Sequence, residues 1–234
     1  MAKFGYQILG FGSYTPAGGP GVWALLGDTI SSNRYMSVIA GNASAALISG
    51  GANPATNVVE SWNGSSFSAA ADNLSAAASS SCGGGTQSSA LSISGTRGGS
   101  SSTACEKWDG SSYETADSLT TAVVLGASAV EDKDNGWACG GFLGSSVNAK
   151  HEIMRSATWT VQSTDMLTPR YYMAANASGS SSNPAAVTGS SASTSRIAKN
   201  EEYTYSSGSS GSWTTNTDIT VGLDEDPGAF GKTS

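Results

Sequence analysis

The feature that most constrains the fold is a short pattern that recurs along the whole chain. In each copy an aromatic residue is followed by an Asp and then by an aliphatic residue. The aromatic residues, separated by 44, 46, 46 and 54 positions, are Trp23, Phe67, Tyr113, Trp159 and Trp213. The Asp residues are Asp28, Asp72, Asp117, Asp165 and Asp218. The aliphatic residues are Ile30, Leu74, Leu119, Leu167 and Ile219. Periods of this size are typical of propellers, solenoids and repeat arrays.

The second copy shows what one repeat contains. Residues 46–51 predict a short apolar strand that ends in two glycines, and residues 58–62 alternate as a strand does. Asn63-Gly64 predicts a hairpin, because both residues tolerate the positive φ of a type I′ turn. A return strand follows, and residues 76–85 predict a last strand of small residues. Each copy therefore predicts four short strands.

Four short strands with tight turns are typical of one blade of a β-propeller. We predict an all-β fold in which residues 1–234 form a single propeller of about five four-stranded blades, the first incomplete. The alternative is an open or partly closed blade array. One blade cannot bury its apolar face alone, so the aromatic residues are expected to pack between blades. The approximate repeat boundaries are 1–45, 46–89, 90–135, 136–183 and 184–234.

The order of residues within the repeat resembles the kelch repeat. The pattern is Gly-Gly, Glu, aromatic, Asn/Asp-Gly and aromatic, and in the second copy it is Gly50-Gly51, Glu60, Trp62, Asn63-Gly64 and Phe67. The similarity is closest to kelch-like arrays of phage virion proteins. Residues 46–119 carry it best and residues 136–219 more loosely. The copies with Gly95 and Gly189 lack the double glycine, and the fourth copy has Met154 where an aromatic is expected and no Asn/Asp-Gly turn.

This resemblance implies a non-enzymatic structural protein of a phage particle. It implies a module on the tail, baseplate or capsid surface, present in multiple copies and bound to other virion proteins, with a host-surface glycan as a further partner. The expected location is the virion, after synthesis in the host cytoplasm, since residues 1–12 show no signal peptide. The alternative is a soluble carbohydrate-binding lectin with one weak site per blade and avidity from repetition. A propeller glycosidase would need non-equivalent carboxylates, which the repeat does not supply.

Composition argues against two classes of partner. The net charge is −7 and the isoelectric point is about 4.5, with only 12% charged residues. Nucleic-acid binding requires a basic surface that neutralises phosphates. No run of 18 apolar residues predicts a membrane span. We therefore expect no nucleic-acid partner, no membrane insertion and a surface of neutral hydroxyl and amide groups.

The repeated acids favour a scaffold over an active site. An Asp that follows a strand and precedes an aliphatic residue is typical of an Asx turn, in which the carboxylate accepts nearby backbone N–H groups. Acid–base catalysis requires two carboxyl groups with different pKa values, and equivalent copies do not provide them. We predict no catalytic residue and interpret the repeated Glu residues as contacts between repeats. These are Glu60, Glu106, Glu152 and Glu202.

The cysteines and the single histidine give little support for catalysis or metal binding. Cys82, Cys105 and Cys139 are odd in number and widely spaced, which predicts free, half-buried thiols. A zinc site that combines them with His151 is not expected, because the chain has no C-x₂-C pair. The sequence also lacks a nucleotide-binding motif. We predict no metal and no cofactor.

Five tyrosines lie outside the aromatic register of the repeat and are the predicted interaction surface. Exposed aromatic rings can stack on sugars or pack against another protein. These residues are Tyr14, Tyr35, Tyr171, Tyr172 and Tyr205.

Overall fold

The structure, a computed structural model, describes residues 28–144, 146–175, 185–191 and 195–220. These residues form β-strands joined by turns, and none of them is helical. The strands are β1 (Val38–Asn42), β2 (Ala45–Ser49), β3 (Val59–Trp62), β4 (Phe67–Ala69), β5 (Ala78–Ser79), β6 (Cys82–Thr86), β7 (Ser89–Ile93), β8 (Thr96–Arg97), β9 (Ser100–Ser101), β10 (Cys105–Trp108), β11 (Tyr113–Thr115), β12 (Ala127–Asp132), β13 (Asn135–Cys139), β14 (Phe142–Leu143), β15 (Ser146–Val147), β16 (His151–Arg155), β17 (Thr158–Val161), β18 (Ala174–Ala175), β19 (Ala185–Val187), β20 (Ser190–Ser191), β21 (Ser195–Arg196), β22 (Asn200–Ser207) and β23 (Ser210–Thr215). The prediction of an all-β fold is confirmed.

Most strands belong to four antiparallel, four-stranded sheets of the same topology. Sheet 1 is β1–β2–β3–β4, sheet 2 is β6–β7–β10–β11, sheet 3 is β12–β13–β16–β17 and sheet 4 is β18–β19–β22–β23. Three smaller sheets lie in the connections, namely β5–β8–β9, β14–β15 and β20–β21. Of the first copy, Trp23 lies outside the described residues, whereas Asp28 and Ile30 are described.

The sheets differ in phase from the sequence repeat. The strand predicted to end the second copy is β6, and it pairs with β7, so it is the first strand of sheet 2. The described sheets accordingly span residues 38–69, 82–115, 127–161 and 174–215. Each copy of the sequence pattern therefore contributes to two neighbouring sheets.

The first strands of the four sheets, which we call the inner strands, lie side by side. Strand β6 contacts both β1 and β12, and β12 also contacts β18. Small residues make this approach possible. A Cβ atom added to Gly83 in β6 would lie 2.6 Å from Val38 Cγ1 and 2.2 Å from the Leu91 carbonyl oxygen. The small-residue strands of the sequence are therefore required by packing.

Three apolar clusters fill the spaces between neighbouring sheets. The cluster between sheets 2 and 3 contains Trp159, and the one between sheets 3 and 4 contains Trp213. Tyr113 packs at the edge of the cluster between sheets 1 and 2, next to Trp108. The prediction that the repeated aromatic residues pack between sheets is confirmed for these three. Burial of this kind is the main stabilising contribution available to so polar a chain.

The corner after the second strand of each sheet requires two residues with positive φ. Gly50 and Gly140 occupy the first position in sheets 1 and 3, with φ of 63° and 65°. Ser94 and Thr188 occupy it in sheets 2 and 4, with φ of 56° and 58°. The missing double glycine therefore leaves the corner geometry intact, although positive φ is costly for a β-branched residue such as Thr188.

The outer hairpins depart from the predicted turn types. Asn63-Gly64 lies in a four-residue loop, because Trp62 pairs with Phe67, and only Gly64 of the pair has positive φ. Asn63 instead accepts the backbone N–H groups of Ser65 and Ser66 through its side chain. The hairpin prediction is confirmed, but the type I′ turn is wrong at this position.

A two-residue turn with both φ values positive occurs in the fourth copy, where the sequence has no Asn-Gly signal. Ser156 and Ala157 have φ of 48° and 66° between the paired residues Arg155 and Thr158. Packing of β16 and β17 therefore imposes on this dipeptide a conformation that Asn-Gly adopts at lower cost.

Replacing Ser156 by Asn and Ala157 by Gly is expected to raise the free energy of unfolding by about 1 kcal/mol, because positive φ strains Ser and Ala. Urea unfolding of the double variant measures the change. Gly64→Ala is the matched control at φ 93°, and it should lower stability by a similar amount. A double variant no more stable than the parent contradicts the prediction.

Candidate functional site

Three of the repeated Asp residues join neighbouring repeats. Each accepts the backbone N–H of the residue that follows it, and its second oxygen accepts the backbone N–H of the next repeat's aromatic residue. The carboxylate–aromatic pairs are Asp28 with Phe67 at 2.6 Å, Asp72 with Tyr113 at 3.0 Å and Asp117 with Trp159 at 2.9 Å. The prediction that these carboxylates accept nearby backbone N–H groups is confirmed for these three, but the N–H is that of the next residue and not that of the second residue on, as an Asx turn requires. The link to the next repeat is an additional finding.

The last two Asp residues have different partners. Asp165 accepts from Lys150 Nζ at 2.8 Å, and Asp218 accepts from Lys199 Nζ at 2.7 Å. Both ion pairs are partly exposed, so each contributes little to stability. In this part of the chain the link to the next sheet is made by the backbone: the N–H of Ser163 donates to the carbonyl oxygen of Ser209, in the hairpin between β22 and β23.

The repeated Glu residues are buried and bridge the connections between sheets. Glu60 accepts the N–H of Ser31 at 2.8 Å, and Glu106 accepts the N–H of Ser75 at 2.8 Å. Glu152 accepts the N–H groups of Thr120 and Thr121 at 2.9 Å. Three ion pairs accompany this set, namely Arg34–Glu60, Arg97–Glu106 and Arg170–Glu201. The interpretation of these acids as contacts between repeats is confirmed for Glu60, Glu106 and Glu152.

The last copy is shifted by one residue from the sequence prediction. Glu201, not Glu202, is buried at 1% exposure, and it accepts the N–H of Leu167 at 3.1 Å. Successive side chains of a strand point to opposite faces, so Glu202 points away from the core. In the same way Met166 is 3% exposed while Leu167 is 58% exposed. The predictions for Glu202 and Leu167 are therefore wrong by one position.

All three cysteines are free and buried. Burial raises the pKa of Cys82 to about 12 and that of Cys105 to about 11, and it raises the pKa of Cys139 well above its ordinary value. Thiols protonated to this degree are poor nucleophiles and poor metal ligands. The prediction of free thiols is confirmed, and they are more deeply buried than expected. Within the described ranges no three His, Cys, Asp or Glu side chains are grouped so as to hold a metal ion.

His151 lies in an aromatic cage between sheets 3 and 4 and is 1% exposed. The indole N–H of Trp137 donates to Nδ1 at 3.0 Å, and Nε2 lies 2.7 Å from the Thr164 carbonyl oxygen. Nε2 also faces the indole N–H of Trp213 at 3.1 Å, so its two neighbours favour opposite tautomers of the neutral ring. Tyr203 packs edge-on at 4.4 Å between ring centroids, and Trp213 at 5.1 Å. These contacts make His151 a structural residue of the seam between the two sheets.

Stability is expected to depend on the protonation of His151. Burial lowers its pKa from 6.5 to about 4. Between these values the unfolded chain binds a proton that the folded protein does not, so the free energy of unfolding falls as the pH falls. The loss should reach about 3 kcal/mol at pH 4, with no contribution above pH 6.5. Urea unfolding at several pH values measures it. In His151→Gln the free energy of unfolding should change less steeply with pH. Equal slopes in the variant and the parent contradict the role given to His151.

A cavity of about 350 Å³ opens where the four inner strands begin. Its wall consists of the starts of β1, β6, β12 and β18 together with the residues just before them. The residues at this position, Met36, Ser80 and Leu125 in the wall and Tyr172 beside it, share a left-handed conformation with φ between 49° and 57°. The N–H of Leu125 donates to the Ser80 carbonyl oxygen at 3.0 Å, and that of Tyr172 donates to the Leu125 carbonyl oxygen at 2.7 Å. These bonds link successive sheets around the opening.

The predicted tyrosines divide between the two ends of the sheets. Tyr35 is 56% exposed and precedes Met36 at the cavity end, and Tyr171 occupies the equivalent position in sheet 4. Tyr171 contacts Tyr172 at 4.9 Å and Phe142 at 5.3 Å between ring centroids. Tyr205 lies towards the opposite end, with the Arg155 guanidinium 4.1 Å above its ring. The structure therefore brings Tyr171 and Tyr172 into contact and places Tyr35 at the same end of the sheets. Tyr14 lies outside the described residues.

Comparison with known proteins supports the fold and leaves the function open. No protein-family model and no curated protein matches the chain. The solved structure of YjhT is similar to this one, with a TM-score of 0.68 at 10% sequence identity. The alignment covers 85% of this chain and 69% of YjhT. At this identity the likeness concerns the fold alone. Within the described residues there is no helix long and apolar enough to cross a membrane.

The sequence prediction missed the buried arginines and the cavity. Arg170 is fully buried, and its guanidinium also donates to the backbone carbonyl oxygen of Lys199 at 2.9 Å. A signal was present, because Arg-Tyr occurs at 34–35 and again at 170–171, at equivalent positions of sheets 1 and 4. The cavity had no such signal, because its wall is built mainly from small residues of separate repeats.

Proposed function

We propose that this chain is a non-enzymatic β-propeller of kelch-like blades that serves as a structural module of a phage particle. In this role it sits on the tail, baseplate or capsid surface, contacts other virion proteins and presents one end to the host. Its sheets are the blades, and the inner strands surround the central cavity. The module acts by binding rather than by chemistry.

Two observations support the propeller architecture. The inner strands lie side by side in chain order, as radially arranged blades require. Asp28 makes with sheet 1 the contact that Asp72 makes with sheet 2. Since Asp72 follows the last strand of sheet 1, Asp28 holds the position that follows the last strand of a preceding blade. This equivalence supports a blade in addition to the four described sheets.

The observation that carries the non-enzymatic role is the use of the repeated acids. Asp28, Asp72 and Asp117 hold backbone N–H groups of neighbouring repeats, and Glu60 and Glu106 are buried in ion pairs. A carboxylate that is fixed in this way stabilises the fold and is not free to transfer a proton to a substrate. The recurring acids therefore serve the scaffold.

The outer hairpins provide preformed loops for assembly. In the loop after β10, Asp109 accepts the backbone N–H groups of Ser111 and Ser112 at 2.8 Å. These bonds lower its pKa to about 2, so the loop keeps its charge and its shape in mild acid. Asn63 holds the corresponding loop of sheet 1 in the same way. Preformed loops lose little conformational entropy on binding, which favours contact with other proteins.

The proposal is tested on phage particles purified by density gradient from the source of the chain. Peptide mass spectrometry should find the chain in the particles, and immunogold labelling should show its place. Antibody that has been absorbed with the purified chain is the control and should give no label. Gold at the tail or baseplate supports host contact, and gold over the head supports a decoration role. Particles with neither peptides nor label contradict the proposal.

A lectin with one weak site in every blade is the alternative. It requires the same side chains at equivalent positions of all blades. The position before the left-handed residue holds Tyr35, Ser79, Val124 and Tyr171 in sheets 1 to 4, and Val124 is 8% exposed where Tyr35 is 56% exposed. This variation favours a single site shared by the blades over one site in each.

A further inference from the structure

The cavity at the start of the inner strands has the chemistry of a ligand site. Its volume of about 350 Å³ is within the ~300–1,000 Å³ typical of small-molecule sites. Each inner strand lies at the edge of its sheet, so one side of its backbone has no strand partner within that sheet. The cavity therefore adjoins main-chain polar groups as well as side chains.

The hydroxyl groups of the wall present acceptors to the cavity. Ser37 Oγ donates its proton to the Gly50 carbonyl oxygen at 3.0 Å, and Ser81 Oγ donates to the Ser94 carbonyl oxygen at 2.9 Å. Ser128 Oγ donates to the Gly83 carbonyl oxygen at 3.0 Å and accepts the Gly83 N–H at 2.8 Å, which leaves it one lone pair. A hydroxyl whose proton is already used retains lone pairs, so these oxygens can accept hydrogen bonds from a ligand. The wall therefore suits a ligand that carries hydroxyl or amide N–H donors.

The remainder of the wall is apolar and uncharged. The side chains of Met36, Leu125 and Met173 line it, and Ile39 is 38% exposed there although it belongs to an inner strand. Among the described residues that line the cavity there is no Lys, Arg, Asp or Glu. An ionic ligand would lose its hydration without gaining a counter-charge, which is costly. The ligand that fits is neutral, with apolar faces and several hydroxyl groups.

An aromatic cluster stands beside this opening. The rings of Phe142, Tyr171 and Tyr172 contact one another in a row and are partly exposed. Tyr172 adjoins the cavity directly, because its N–H donates to the carbonyl oxygen of the wall residue Leu125. Flat apolar rings next to hydroxyl acceptors match a sugar ring, which has C–H faces and hydroxyl edges.

We propose that the cavity of the inner strands, together with the aromatic cluster Phe142-Tyr171-Tyr172, binds a neutral saccharide in one shared site. The cavity accommodates a mono- or disaccharide, and the aromatic cluster contacts a sugar ring outside it. The proposal rests on the host-contact part of the proposed function, to which it gives a ligand class and a location.

Ligand-detected NMR with glucose, galactose, N-acetylglucosamine and lactose tests the site, with glucuronic acid and glucose 6-phosphate as anionic probes. At least one neutral sugar should bind, and the anionic probes should not. Ile39→Trp fills the cavity from its open side and should abolish binding. Tyr171→Ala should weaken binding about tenfold, by loss of stacking. Tyr205→Ala at the other end of the sheets is the matched control and should bind as the parent does.

Thermal unfolding of each variant establishes that it is folded before binding is compared. Absence of binding by all four neutral sugars at millimolar concentration overturns the proposal, and so does binding that survives Ile39→Trp or that is equally tight for the anionic probes. Retention on lactose-coupled beads with release by free lactose identifies the end of a glycan as ligand, whereas binding in solution alone identifies a free sugar. Both results support the site.

The two proposals fail separately. If the particles contain the chain but the purified protein binds no sugar, the virion role is supported and the saccharide site is contradicted. Sugar binding by a chain that is absent from particles retains the site and removes the virion role.

Discussion

Replacing Glu201 by Gln is expected to lower the free energy of unfolding by about 3–5 kcal/mol. The side chains of Arg170 and Glu201 are 0% and 1% exposed and form an ion pair between a connection and sheet 4. Without the carboxylate charge, the Arg170 guanidinium remains buried and uncompensated. Chemical denaturation at pH 7 measures the loss.

The neighbouring residue provides a matched control. Glu202 is in the same strand, but its carboxylate faces outwards and accepts from Asn216 Nδ2 at 3.1 Å in an exposed position. Glu202→Gln should change the free energy of unfolding by less than about 1 kcal/mol. Equal effects of the two substitutions would contradict the assignment of Glu201, rather than Glu202, to the buried position of the repeat.

Trp159→Ala is expected to cost about 3–5 kcal/mol, because it removes a large side chain from the cluster between sheets 2 and 3. The neighbours that would border the resulting void include Cys105, Leu119 and Met154. Cys105 and Met154 belong to different sheets and Leu119 to the connection between them, so they cannot all close on the gap. Urea unfolding with intrinsic fluorescence from the remaining tryptophans measures the change.

Val161 in the same strand is 40% exposed, and Val161→Ala serves as the control with an expected cost below about 1 kcal/mol. The loss of free energy of unfolding in Trp159→Phe should lie between those of Trp159→Ala and Val161→Ala, because Phe keeps part of the buried ring area. A Trp159→Ala protein as stable as the Val161→Ala protein would contradict a role between sheets.

The sequence predicts the repeat and its aromatic contacts because both follow from hydrophobic burial. Trp159 and Trp213 recur at the spacing of the sheets, and Tyr113 holds the same position in sheet 2. The phase of the sheets is harder to predict. Strand β6 carries the residues Cys82–Thr86 and could end one repeat or begin the next, and only its pairing with β7 decides between them.

The candidate site could be predicted only in part. Tyr35 and Tyr171 were found because they lie outside the aromatic register, and the structure places both at the cavity end. The cavity itself depends on how four separate strands approach one another. Glu201 was missed because a shift of one residue in a strand exchanges its two faces, and the adjacent Glu202 satisfies the same pattern.

The links between Asp residues and aromatic residues have a consequence for synthesis on the ribosome. Asp28, Asp72 and Asp117 precede their partners by 39, 41 and 42 residues. The buried acids likewise reach back, with Glu60 and Glu106 bound to N–H groups 29 and 31 residues earlier. When the last strand of each of these sheets leaves the exit tunnel, the Asp residue that binds it has already been synthesised. The nascent chain can therefore add one finished sheet after another, with little unpaired strand edge exposed between additions.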